Sequence, residues 1–138
     1  MQALVNFIAN LFSSGPRAYA LVDVGGLNQT PTLDAARTKN FTAVSRPNDP
    51  DGNPMEGCYC LTPSGGVSPA SAPAIISVDE GLSAGSGLYV YTNFAQAGLP
   101  GRHCPAGDFE VHTRALPQLY SDGDTPSSNY ISFTIIVP

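Results

Sequence analysis

Basic side chains are scarce in this sequence. Lysine and arginine together number 6 among 138 residues, against 11 aspartates and glutamates, which leaves a formal net charge of -5 and a pI near 4.6. Proteins that bind nucleic acid neutralise phosphates with clustered lysine and arginine. The composition therefore argues against DNA or RNA as a partner.

Long apolar runs are missing too. No stretch approaches the roughly 20 consecutive apolar residues that a membrane-spanning helix requires, so the sequence predicts no membrane span. The match to a catalytic motif at residues 81–85, weighed below, stands in the wrong context, and no other grouping of residues has the pattern of a catalytic site. We therefore expect a protein that is not an enzyme and has no cofactor.

Turn-forming residues are abundant. The chain has 14 glycines and 13 prolines beside a hydrophobic content of 42%, and its length suits one compact core. Short β-rich runs alternate with turn clusters, which predicts a seven-stranded β-sandwich or barrel-like domain over residues 17–138. The predicted strands are 18–24, 39–46, 57–63, 74–79, 88–94, 109–115 and 130–137.

Alternation of apolar and polar residues predicts which side of the last two strands faces the core. The inward set is Phe109, Val111, Thr113, Ile131, Phe133, Ile135 and Val137. Glu110, His112 and Arg114 fall on the opposite, outer face. Ile136 interrupts the polar side of the last strand, which suggests that another element covers it.

Residues 1–16 differ from the rest of the chain. Apolar residues recur at helical spacing and predict a short amphipathic helix for oligomerisation or docking, ended by Gly15 and Pro16. Its apolar stripe consists of Leu4, Val5, Ile8, Leu11 and Phe12. A secretory signal peptide cleaved near Ala18-Tyr19-Ala20 is the rival interpretation, although the basic n-region of such a peptide is lacking. The helix would pack either on its own β domain or on copies of the chain in an assembly.

The three cysteines fit either one disulfide and one remaining thiol in an oxidising environment, which we favour, or three reduced thiols in a cytosolic protein. Cys58 and Cys60 lie on the same face of one predicted strand, so either could approach Cys104. The remaining thiol would be free and buried, or would bridge to another subunit. A zinc site from the three cysteines and His103 has suitable atoms, but it lacks the usual C-x-x-C spacing and is disfavoured.

Two loops contain motif-like patterns. Gly81-Leu82-Ser83-Ala84-Gly85 matches the nucleophile pattern G-x-S-x-G, but the following strand-like run is the wrong context, and a glycine-rich turn is expected. Asp49, Asp51 and Asn53 resemble the start of a calcium loop without its later glycine and glutamate. They are weak calcium candidates, and a rigid proline-rich turn is the simpler interpretation.

Histidines and tyrosines complete the set of candidate site residues. His103 and His112 have no partner that the sequence reveals, so we expect structural or solvent-facing roles for both. Tyr89, Tyr91 and Tyr120 are candidates for an exposed patch that contacts a ligand such as a sugar or a protein.

Several stretches between about residue 18 and the end together carry a resemblance to known domains. They are Ala35; Arg37-Thr38-Lys39-Asn40-Phe41; Gly57; Tyr59-Cys60-Leu61; Cys104-Pro105-Ala106-Gly107; Phe109-Glu110-Val111; and Phe133-Thr134-Ile135-Ile136-Val137-Pro138. On these residues, the sequence resembles small β domains of secreted-type actinobacterial proteins and of bacteriophage tail or fibre components. The resemblance implies a β-sandwich-like module with a Cys60–Cys104 disulfide and carries little information on activity. This chain departs from the pattern by adding Cys58 and the N-terminal helix.

These observations predict a structural protein of a phage-like particle or an extracellular assembly, of decoration, fibre or tail type. It would self-associate through its N-terminal helix as a homo-oligomer, with a trimer favoured, or dock on capsid or tail proteins. The expected location is the virion surface or the extracellular space. The alternatives are a module that binds glycans or host surfaces through loops 47–56 and 98–107, and a subunit of an extracellular filament. A small secreted hydrolase that uses Ser83 is a further, less favoured alternative.

Overall fold

The computed structural model describes residues 15–25, 29–83, 88–94, 102–115 and 131–138. Within these ranges the chain forms eight β-strands and no helix. The strands are β1 (Ala18–Asp23), β2 (Thr32–Lys39), β3 (Phe41–Ser45), β4 (Cys58–Pro63), β5 (Ile75–Val78), β6 (Leu88–Phe94), β7 (Phe109–Ala115) and β8 (Phe133–Val137).

The described strands form two four-stranded antiparallel sheets. Sheet A has the order β2-β1-β8-β5, and sheet B has the order β3-β4-β7-β6. Side chains from both sheets form one apolar core, and the rings of Tyr59 in sheet B and Phe133 in sheet A lie 5.6 Å apart. The predicted all-β, sandwich-like class is confirmed.

Each of the seven predicted strands has a counterpart, and β2 is an additional strand. The sequence did not reveal β2 because it lies at the edge of sheet A, where it buries little side-chain surface. Its residues include Asp34, Arg37 and Lys39, and Leu33 packs against the core. Alternation is therefore weak along β2, and its pairing with β1 fixes it as a strand.

Alternation located the core correctly in β7 and β8. All seven residues predicted to face inward are fully buried. The expectation for the outer face of β7 is wrong in part, because Glu110 and His112 are also buried while Arg114 is partly exposed. A covering segment described below explains this difference.

Asn40 alone connects β2 in sheet A to β3 in sheet B. Its backbone adopts φ of 57°, a left-handed conformation that few residues other than glycine tolerate. Its side-chain amide donates a hydrogen bond to the carbonyl of Arg17 at 2.7 Å, and its own carbonyl accepts one from the Ser64 N–H at 3.0 Å. The chain thus passes from one sheet to the other at a single, tightly held corner.

The predicted N-terminal helix at residues 1–14 lies outside the described residues. Among the residues that the structure describes, no helical segment has the length and hydrophobicity needed to span a bilayer.

Candidate functional site

Strand β4 is buried on both of its faces. Tyr59 and Leu61 belong to the core between the sheets, whereas Cys58 and Cys60 lie on the outer face of sheet B. All four side chains are at most 1% exposed. An outer face of a small sandwich is usually solvated, so this part of sheet B differs from an ordinary protein surface.

The register between β4 and β7 determines the neighbours of these cysteines. Cys58 is paired with His112, and Cys60 is paired with Glu110. Directly opposed residues on one face of an antiparallel pair have side chains in contact distance. The pairing therefore places a thiol beside an imidazole, and a cystine beside a carboxylate.

A segment of residues 102–108, here called the strap, crosses this outer face. A disulfide joins Cys104 in the strap to Cys60 in β4, with 5.4 Å between their Cα atoms. The Glu110 Oε2 atom accepts hydrogen bonds from the backbone N–H groups of His103 at 2.9 Å and Cys104 at 3.1 Å. The pairing that the resemblance implied is confirmed, and the strap accounts for the burial of Glu110.

The other carboxylate oxygen of Glu110 contacts His112. Glu110 Oε1 and His112 Nε2 lie 2.7 Å apart. Burial by itself raises the pKa of Glu110, but the two strap N–H groups and His112 outweigh burial and hold this pKa below its ordinary value. Burial lowers the pKa of His112, and Glu110 opposes that effect only in part. We therefore assign an ionised carboxylate that accepts a hydrogen bond from a neutral imidazole.

Cys58 is the free cysteine of the chain. Burial, followed by the negative charge of Glu110, raises the pKa of its thiol to about 12. A reactive cysteine needs the thiolate form and access to its target, so Cys58 lacks the properties of an activated nucleophile. Because it is 1% exposed, a disulfide to another subunit would require this face of sheet B to open.

Three potential metal ligands meet at this place. One donor atom each from Cys58, Glu110 and His112 lies within 4.8 Å of the other two, and all three residues are buried. These three residues are here called the outer-face cluster. It differs from the zinc set weighed from the sequence, since Cys60 and Cys104 are consumed by the disulfide and His103 is exposed.

Sequence reasoning found part of the signal for this cluster. Alternation places Glu110 and His112 on one face of β7, and it places Cys58 on one face of β4. Of the two roles expected for His112, structural or solvent-facing, the solvent-facing one is wrong, because His112 is 8% exposed and contacts Glu110, a partner that the sequence did not reveal. The missing information was the register of two strands that are about 50 residues apart in the sequence.

The outer face of sheet A has a second unusual surface. Tyr19, Ile136 and Ile75 are aligned across β1, β8 and β5 by the strand register, and Leu21, which is buried, lies two residues beyond Tyr19. These four residues are here called the apolar patch. Ile75 is 61% exposed and Ile136 is 37% exposed, so no described element covers Ile136 as the sequence suggested.

A groove of about 240 Å³ runs along the apolar patch. Tyr19, Leu21 and Ile136 contribute to its lining, together with Pro16, Arg37, Asp79 and Thr134. Pro16 is the last residue of the predicted N-terminal segment, two positions after residue 14, where the predicted helix ends. The groove is therefore adjacent to the point where residues 1–14 join the β domain.

Ser83 holds a turn in place. Its Oγ lies 2.5 Å from the Asp79 carbonyl oxygen and accepts a hydrogen bond from the Ser132 N–H at 2.9 Å. These contacts connect the turn after β5 to the residue before β8. The described surroundings of Ser83 therefore fit the expected turn and differ from a strand-to-helix nucleophile turn.

Asp49 stabilises the proline-rich loop from within. Its Oδ1 accepts hydrogen bonds from the N–H groups of Asp51 at 2.9 Å and Asn53 at 2.8 Å. The backbone of Asn48 also pairs with that of Pro54. This carboxylate closes a turn through its own backbone, which supports the simpler interpretation of the three calcium candidates.

Most of the remaining predicted site residues lie outside the part of the chain that the structure describes, or are described in backbone only. Tyr89 and Tyr91 are described in backbone only, where they pair with Arg114 and His112. Tyr120 lies outside the described residues. So does the whole apolar stripe of the predicted helix: Leu4, Val5, Ile8, Leu11 and Phe12.

Comparison with protein-family models, with curated proteins and with solved structures finds no match to this chain. Its architecture, a disulfide-linked antiparallel sandwich, and the two surfaces described above are the basis for assigning a function.

Proposed function

We propose that this protein is a non-enzymatic structural subunit that self-associates. In the assembly, the apolar stripe of residues 1–14 of one copy packs on the apolar patch of a neighbouring copy. The observation that carries the proposal is the apolar patch, because its two isoleucines are exposed to solvent on the outer face of sheet A.

The position and chemistry of the patch support an apolar occupant. Ile75 and Ile136 are cross-strand partners and both are exposed. Scattered exposed apolar residues are ordinary, but aligned ones beside a groove are typical of interaction sites. Burial of such side chains stabilises an interface by roughly 25 cal/mol per Å² of apolar area removed from water.

The predicted N-terminal helix requires an apolar surface on which its apolar stripe can pack. A helix of about a dozen residues is marginal in water unless its apolar stripe packs on something. The segment joins the β domain at Pro16, on the rim of the groove. Exchange of such segments between identical subunits is a low-cost route to closed oligomers, and a trimer is the form we favour.

The wider setting is a phage-like particle or an extracellular assembly, with the β domain displayed on its surface. The Cys60–Cys104 disulfide suits an oxidising compartment. The acidic composition suits a surface module that does not bind nucleic acid. The resemblance to tail and fibre components points to the same setting.

Light scattering coupled to size-exclusion chromatography of the full chain tests this function. We expect an oligomer, and we expect Ile8→Glu and Ile136→Glu each to shift it toward monomer by placing a charge in the apolar contact. Two matched controls should leave the oligomer intact: Asn6→Glu, on the polar side of the predicted helix opposite its apolar stripe, and Ser45→Glu, on the exposed edge of sheet B.

A wild-type chain that is monomeric at all concentrations would overturn the proposal. Such a monomer is the outcome expected if residues 1–14 pack on their own β domain. An oligomer that survives both the Ile8→Glu and the Ile136→Glu substitution would equally contradict this interface.

A further inference from the structure

We propose that Cys58, Glu110 and His112, the outer-face cluster, form a binding site for one zinc ion. This site lies on sheet B, whereas the proposed self-association uses sheet A. The two proposals are independent, and either can fail without the other.

The donor set suits zinc. A thiolate sulfur, an imidazole nitrogen and a carboxylate oxygen are the ligand types that Zn²⁺ takes in proteins. Calcium and magnesium prefer oxygen ligands alone, so the sulfur and nitrogen donors argue against them. The three donor atoms already lie within 4.8 Å of one another, and three protein ligands leave one position for water.

The protein backbone holds these donors rigidly. Cys58 and His112 are opposed on adjacent strands of one sheet, and Glu110 lies two residues before His112 on the same face. A metal site built on paired strands is better defined than a site on loops. Each donor can therefore meet an ion without a large movement of the backbone.

The strap supplies an outer shell for the carboxylate. Glu110 Oε2 is held by the N–H groups of His103 and Cys104, and Oε1 is the oxygen that faces His112. Hydrogen bonds to the second oxygen orient carboxylate ligands in metal sites and tune their affinity. The disulfide fixes the strap, so it also fixes this outer shell.

Zinc would replace the hydrogen bond that now joins Glu110 to His112. Nε2 and Oε1 are 2.7 Å apart, whereas two tetrahedral ligands of zinc lie about 3.3 Å apart, given bond lengths of about 2.0 to 2.1 Å. A small increase in the distance between Glu110 Oε1 and His112 Nε2 is therefore enough to admit the ion. The imidazole proton moves from Nε2 to Nδ1, and the Cys58 thiol proton is released to solvent.

The local charges balance for a divalent ion. The thiolate and the carboxylate contribute two negative charges, which neutralise Zn²⁺. Arg114, two residues beyond His112 on the same strand, is partly exposed and is the nearby positive group that opposes the ion. His112 is the most exposed of the three ligands, at 8%.

Cobalt substitution and zinc calorimetry on the full chain, freed of metal with EDTA, test this site. We expect one ion bound per chain. Bound Co²⁺ should show sulfur-to-metal charge transfer and the visible bands of tetrahedral coordination. These signals are measured on the unaltered chain, so they do not depend on whether any variant folds.

Variants then identify the ligands. Cys58→Ser should abolish the charge-transfer band. Cys58→Ser and His112→Asn should each weaken zinc binding by more than the about 10- to 100-fold that loss of an outer-shell partner costs. His103→Asn changes the other histidine, which is exposed and keeps its backbone N–H, and should bind zinc like the wild type. Circular dichroism confirms folding of each variant.

Absence of stoichiometric zinc binding by the wild-type chain would overturn the proposal. So would cobalt binding without sulfur-to-metal charge transfer, because that would place the ion on oxygen and nitrogen donors elsewhere. Equal zinc affinity of wild type and a folded Cys58→Ser variant would have the same meaning.

Discussion

Cys58, Tyr59 and Cys60 are consecutive residues with three different roles. Cys60 links β4 to the strap, Tyr59 packs in the core against Phe133, and Cys58 remains a buried thiol beside His112. The alternation of a β-strand separates Tyr59 from its neighbours. Burial of both faces then raises the pKa of the Cys58 thiol and the Tyr59 phenol, because neither charged form is well solvated.

The buried phenol predicts sensitivity to alkali. Burial raises the pKa of Tyr59 from its ordinary value of 10.0 to about 12, although Arg46 and a hydrogen bond with Thr113 oppose this. A raised folded-state pKa contributes stability that is complete below the unfolded value and is lost as pH rises toward the folded value. We therefore expect the free energy of unfolding to fall between pH 10 and 12, by about 1.4 kcal/mol per pH unit for this group.

Urea unfolding of the metal-free protein at a series of pH values measures this slope. Cys58, with its pKa raised from 9.0 to about 12, adds a second contribution that begins near pH 9. Tyr59→Phe should remove the tyrosine share of the slope above pH 10 and leave the pH dependence below pH 9 unchanged. An unchanged slope above pH 10 in this variant would contradict the assignment.

At the scale of elements, the corner at Asn40 determines how the two sheets are connected. The chain leaves β2 and enters β3 through one residue with positive φ. Asparagine tolerates this conformation better than most residues, and its side chain also bonds to the Arg17 carbonyl. A residue that resists positive φ would strain both sheets at once.

Substitutions at this corner separate the backbone effect from the side-chain effect. Asn40→Gly and Asn40→Ala both lose the hydrogen bond to Arg17, but alanine also meets the steric penalty of the left-handed conformation. We expect Asn40→Ala to be less stable than Asn40→Gly by about 1 kcal/mol. Denaturant midpoints of the two variants compare them directly, and equal midpoints would exclude backbone strain as the cause.

The strands also differ in how well the sequence predicts them. The strands β7 and β8 were predicted closely because their own alternation identifies a buried face, as Phe109, Val111, Phe133 and Ile135 show. The edge strand β2 was missed because its side chains are mostly exposed or half-buried, so no alternation identifies a buried face. Asp34 and Arg37, for example, form an ion pair at the surface. The Cys60–Cys104 disulfide followed from a resemblance, since geometry left Cys58 equally eligible.

At the scale of the whole molecule, the Cys60–Cys104 disulfide closes a chain segment of 44 residues. That segment includes β5 of sheet A and β6 of sheet B, so the crosslink restricts the unfolded chain over much of its length. A loop of this size predicts a stabilisation of about 4 kcal/mol in the chain-entropy model. This is a large share of the roughly 5 to 15 kcal/mol that stabilises a typical domain.

Removal of the disulfide should therefore lower the free energy of unfolding of the whole domain. We expect the double variant Cys60→Ala/Cys104→Ala to lose about 4 kcal/mol of unfolding free energy, measured by urea unfolding. Cys58→Ala, which keeps the disulfide, is the matched control and should lose less. A double variant as stable as this control would show that the crosslink does not contribute through the unfolded chain.

The sequence by itself determined the all-β class, the places of seven strands and the inward face of β7 and β8. These features follow from local alternation and from turn residues, which act within a few positions along the chain. The tertiary structure alone decided that Cys58 lies beside His112, that the strap buries Glu110, and that isoleucines from β5 and β8 meet in one exposed patch. Those outcomes depend on register between strands distant in sequence, and local alternation carries no information about that register.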